Sequence, residues 1–80
     1  MQATAIIAAM GDIRAAAAKH LAAQDVSPEV IEGLRATAKR YARHLLSNEP
    51  RLAKEFLPEQ LEAMLLRVVD EVAAAQAKAA

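Results

Sequence analysis

Four aliphatic side chains near the C-terminus, Leu61, Leu65, Val68 and Val72, recur at spacings of four, three and four, which stacks them along one side of a helix. Met64 and Val69 flank the line and widen the apolar stripe beyond about 100° of arc. Pro58 suits the first helical turn, where its missing N–H costs no hydrogen bond, and Glu59 sets a negative charge near the positive end of the helix dipole. The spacing predicts a helix over residues 58–79, and everything before it must supply surfaces that cover the stripe. Leu66 sharpens that demand. It projects about 140° from the Leu61 line, on the side of Glu59 and Asp70, so this helix carries more apolar arc than one partner helix can bury.

The covering surfaces come from two further helices. Over residues 4–24, Ile6, Met10, Ile13, Ala17 and Leu21 form a stripe with Ile7 alongside, and the opposite face is mostly Ala. Such a helix is apolar nearly all round and can pack on two sides. Gly11 lies inside it at a cost near 1 kcal/mol relative to Ala, for which a close backbone approach would be one reason. Residues 24–28, Gln-Asp-Val-Ser-Pro, are the clearest punctuation in the chain. Ser27 is a favoured N-cap, Pro28 takes N1, and Val26 and Ile31 have the spacing of a hydrophobic staple. A second helix follows over 28–46, its buried stripe Val30, Leu34, Ala38 (with Thr37), Tyr41 and Leu45.

Pro50 ends that helix by pushing the residue before it out of the helical region. Residues 51–57 form a short helical turn with Leu52 and Phe56 facing inward, and the chain breaks before Pro58. The tail from about residue 74 has few anchoring groups and is expected to fray. No strand-like alternation, repeat or flexible linker is present. The expected fold is all-α: a single domain of three main helices and one short turn.

Length and composition limit what such a bundle can be. Ala supplies 21 of the 80 residues, leaving 23 larger hydrophobic side chains to build the core. That core is thin, and without cysteine no disulfide or thiolate metal site reinforces it, so a homodimer is the simplest way to bury more area. No apolar run approaches a membrane span, and the N-terminus lacks the basic region of a signal peptide. A cytoplasmic chain away from the membrane is the expectation. Formal net charge is zero, but residues 35–54 carry a net of +5 while residues 1–34 and 55–80 carry −2 and −3.

Catalytic and metal-binding patterns are absent from this reading. His20 and His44 have no second histidine at helical spacing, Ser27 and Ser47 sit at helix boundaries where capping explains them, and Gly11 and Gly33 stand alone rather than in a phosphate loop. Carboxylate pairs such as Glu59/Glu62 and Asp70/Glu71 are a solvated helix face. No enzyme, cofactor or metal site is expected.

Nucleic-acid binding has more behind it. Leu21, Asp25-Val26-Ser27, Ile31 and Leu34 resemble a helix-turn-helix, in which the second helix would enter the major groove by its first residues. Asp25 stands where that motif usually has Gly, and Leu21 where a small residue lets the helices approach. The leading residues would be Pro28, Glu29 and Glu32, and two carboxylates are the wrong charge for a phosphate-lined groove. Arg35, Lys39 and Arg43, spaced every four residues on the far side of the second helix, with Arg40, Arg51 and Lys54, would instead grip phosphates or an acidic partner without reading sequence.

The preferred expectation is a non-enzymatic protein–protein module, an adaptor, regulator or inhibitor. Its contact surface is expected from Leu46, Leu61, Leu65, Leu66, Val69 and Val72, because Leu46 and Leu66 lie off their helices' buried lines. A small DNA-binding regulator built on residues 17–46 is the alternative.

Overall fold

A computed structural model describes residues 2–23 and 26–79, with side chains at 4–22 and 26–78. It holds four helices, α1 (Gln2–Ala23), α2 (Pro28–Asn48), α3 (Pro50–Glu55) and α4 (Pro58–Ala79), and no strand among the described residues. The all-α expectation holds, with boundaries within about two residues.

All three prolines mark helix starts. Pro28, Pro50 and Pro58 each occupy the first position of their helix, where a fixed φ is already helical and no N–H is missed. The caps differ in chemistry. At α2 the Val30 N–H donates to Ser27 Oγ at 3.2 Å, the expected cap. At α4, Leu57 has no polar side chain to offer, and Gln60 supplies the reciprocal half of a capping box: its Oε1 accepts from the Leu57 N–H at 2.8 Å. Phe56 and Leu57 lie outside both helices, so the chain breaks before Pro58 rather than bending through it.

Side-chain pairings give the helix directions. Arg35 meets Asp70 and Arg43 meets Glu62, so numbers fall along α4 as they rise along α2 and the two are antiparallel. Arg14 meets Glu71, and Met10 shares a pocket with Met64, so α1 and α4 run parallel. Tyr41 reaches Asp12, which sets α1 and α2 antiparallel. α4 packs against both other long helices, which touch one another less.

The core is aliphatic and fills from all four helices. Ile6, Ala9, Ile13, Ala17 and Leu21 come from α1, Leu34, Ala38 and Ala42 from α2, Leu52 from α3, and Leu61, Leu65, Val68, Val69, Val72 and Ala73 from α4. No polar side chain among the described residues is buried. Two expected stripe members differ. Tyr41 is only half-buried because its hydroxyl is drawn to Asp12, and Ile7, expected beside the α1 stripe, is 68% exposed. Gly11 meets nothing within 4 Å of where a Cβ would stand, so no close approach inside this chain requires it. α4 continues to Ala79, past residue 74, its last turns held by their own hydrogen-bond ladder with Gln76 half-covered.

Candidate functional site

The surplus apolar arc of α4 is taken up within the chain. Leu61, Leu65 and Val69 are fully buried and Val72 nearly so, because α1 covers one flank of the helix and α2 the other. These four expected contact residues are core, unavailable to any partner of the folded chain. Leu66 and Leu46 are half-buried and pack on the core as well. In the antiparallel register Leu66 falls level with Lys39, between the Arg43–Glu62 and Arg35–Asp70 pairs. A carboxylate placed at Leu66 would therefore act on the fold before it acted on any association.

The basic row is also partly spent inside the chain. Arg35 Nη1 donates to both carboxylate oxygens of Asp70, at 2.6 and 2.7 Å, and this hydrogen bond, with the Coulomb attraction behind it, raises the guanidinium pKa further. Arg43 Nε lies 3.7 Å from Glu62. Arg35 is half-buried, so the row runs along the α2–α4 seam and not on the far side of α2 as expected. Lys39, Arg40, Arg51 and Lys54 remain exposed.

The helix-turn-helix resemblance does not extend to helix geometry. That motif sets its helices at roughly 90–120°. At 1.5 Å per residue α2 is about 32 Å long, and a right-angled crossing with α1 would need more breadth than the bundle has, since the chain measures 41 × 20 × 15 Å. The long helices lie along its long axis. Val26 and Ile31 stand at staple spacing and both pack on the core, while Asp25 lies outside the described residues.

An open apolar surface lies elsewhere. On the outer side of the α1–α4 seam Met10, Ala63, Met64 and Arg67 line a pocket of about 220 Å³. The large hydrophobic side chains most exposed to solvent are Ile7, at 68%, and Leu57, at 62%, and both continue this pocket. Ile7 stands three residues before Met10 and Leu57 seven before Met64, spacings that keep each pair on one face. Since α1 and α4 are parallel, both extensions point toward the same end of the bundle. The result is an apolar groove with charge at its other end, where Arg67 lines the pocket and Arg14 lies 3.6 Å from Glu71 one turn on.

A second hollow, between α1 and α2, is a wide dish of about 280 Å³ lined by His20, Val30, Gly33, Leu34 and Thr37. The Thr37 hydroxyl donates to the Gly33 carbonyl at 3.0 Å, which occupies its main polar group. No cluster of three or more potential metal ligands occurs among the described residues, and no helix there is long and apolar enough to cross a membrane.

The groove residues were visible in the sequence only as a surplus. An α1 apolar on all sides signals a second packing surface, and Ile7 beside the stripe is its strongest member. Met64 was expected as a flank of the α4 line, and its half-exposure follows from α1 lying to one side of it. Arg67 has no pattern around it that singles it out. Compared with protein-family models, with curated proteins and with solved structures, the chain matches none.

Proposed function

We propose that the protein is a small non-enzymatic binding module whose partner is another protein, docked on the α1–α4 groove. The observation that carries this reading is the placement of Ile7 and Leu57. Two large side chains left in water at the same end of one Met-lined pocket make a continuous apolar strip, the kind of surface that receives a partner's side chains. Methionine suits the task because its flexible, polarisable side chain adapts to different shapes. The module lends shape and surface rather than chemistry. Partner docking would also add the buried area that so small a core lacks.

The test is site-specific crosslinking. A photoreactive residue at position 7 should give a discrete adduct that a second substitution, Met64→Glu, abolishes, while the same probe at exposed Ala53 on α3 gives none. Equal adducts from both positions, or none from position 7, would remove the groove from the reading. The alternative, phosphate contact by Lys39, Arg40, Arg51 and Lys54, predicts binding to a random DNA duplex at low salt with steep loss as salt rises. Flat anisotropy at low salt would end it.

A further inference from the structure

Charge around the groove narrows what occupies it. At its polar end stand two guanidiniums, Arg14 and Arg67, against one carboxylate, Glu71, which lies 3.6 Å from Arg14. Arg67 belongs to none of the three ion pairs among the described residues. The nearby Asp12 accepts the Tyr41 hydroxyl at 2.7 Å, and Glu62 faces Arg43 on the other flank of α4. The groove therefore presents an apolar strip that ends in one uncompensated positive charge. The strip spans seven residues of α4 from Leu57 to Met64, about 10 Å at the helical rise, which is the span of an i, i+3, i+7 set of anchors on a facing helix.

We infer that the occupant is an amphipathic helix of a partner protein whose apolar anchors are followed by a carboxylate. The anchors lie over Ile7, Leu57 and the pocket between Met10 and Met64, and the acidic side chain reaches Arg67. A second copy of this chain fits less well. A two-fold axis through the groove would bring each copy's Arg14 and Arg67 toward their own mates, and like charges at a small interface oppose association. The inference rests on the proposed binding role and adds the chemistry of the partner to it.

Methyl NMR of the methionines reads this directly, because Met10 and Met64 sit in the pocket itself. The probes are two synthetic Ala-based helices of about 18 residues, long enough to be helical alone. Both carry Leu at i, i+3 and i+7; one has Glu a turn beyond the last Leu and the other has Lys there. The Glu peptide should shift the Met10 and Met64 methyl signals and bind about five-fold tighter than the Lys peptide, the change expected when a surface charge pair becomes attractive instead of repulsive. In the Arg67→Glu protein, where the exposed site leaves the fold intact, the preference should reverse. Equal affinity of both peptides in both proteins would overturn the acidic-partner inference and leave the groove as an unselective apolar site. Saturating shifts of the same methyls on concentrating the protein alone, lost in Ile7→Asp, would also overturn it and give the groove to a second copy. No shift with any peptide or concentration would overturn the inference and the groove's binding role together.

Discussion

The two long seams of α4 are finished differently. Toward α2 the interface is sealed. Ala38 and Ala42 let the helices close up over Val69 and Ala73, Leu46 and Leu66 pack at its edge, and Arg35–Asp70 and Arg43–Glu62 stand along it. Toward α1 the same helix buries Leu61, Leu65 and Val68 on its inner side but leaves Met64, Ala63, Ile7 and Leu57 along an outer groove. Both seams are apolar within, so hydrophobicity alone does not separate them. What separates them is the rim. Charged side chains long enough to cover apolar surface line one, and short or apolar ones line the other. A rim that excludes water completes an interface inside the chain, and a rim left open offers one outside it.

The largest expected effect tests whether the inner and outer sides of the α1–α4 seam differ as described. Leu65→Ala removes a fully buried side chain and should cost about 2–5 kcal/mol, enough to leave so small a bundle largely unfolded. Ile7→Ala on the groove should change stability by no more than about 0.5 kcal/mol. Urea unfolding followed by circular dichroism measures both. A large cost at Ile7 would mean that its side chain is covered in solution, and the open groove would be lost from the comparison.

How much of this was legible beforehand follows the same division. The α4 line is a strong period-3.6 signal, and Leu61, Leu65 and Val68 are core as that signal requires. The cap at Ser27 and the three proline starts are local chemistry, readable from a few residues each. Side-chain destinations across the bundle were not readable. The extra arc at Leu66 and Val69 was rightly seen as needing a second partner, but one sequence cannot say whether that partner is another chain or α2 folding back at Ala38 and Ala42. The basic row has the same ambiguity. A four-residue spacing places Arg35, Lys39 and Arg43 on one face, and only the antiparallel register with α4 brings two of them to Asp70 and Glu62. Ile7 was placed beside a stripe whose width depends on where α4 lies, and α4 passes on its other side.

A matched substitution compares the two rims at intermediate size. Ala42 is fully buried against the core on α2, and Ala63 is exposed in the groove. Ala42→Leu forces three more carbons into a closed seam and should cost about 1–3 kcal/mol. Ala63→Leu places the same atoms in open space and should be neutral to within about 0.5 kcal/mol, while filling the pocket and weakening any helix that docks there. Thermal unfolding reports the first difference and methyl shifts at Met64 the second. If the two substitutions destabilise alike, the α1–α4 seam is as tightly packed as the other, and the pocket does not persist in solution.

The smallest effect concerns the third and lightest seam, where α1 meets α2 through a polar contact. The Tyr41 hydroxyl donates to Asp12 Oδ2 at 2.7 Å. This bond, then partial burial and the negative charge of Asp12, hold the phenol pKa above its ordinary value. A raised folded pKa means that the contribution to stability is fully present below the unfolded value, about 10, and is lost as pH climbs through the folded one. Tyr41 is the only tyrosine, so absorbance at the tyrosinate band titrates this one group. The folded protein should ionise at higher pH than the same chain in urea, and Asp12→Ala should bring the two midpoints together. Coincident midpoints in the unsubstituted protein would show that the bond does not form in solution. α1 would then be held by its inner stripe alone, free to roll about its own axis and change how far Ile7 and Met10 stand into the groove. A bonded Asp12 fixes that rotation from the α2 side, so the groove presents one shape to whatever helix it meets.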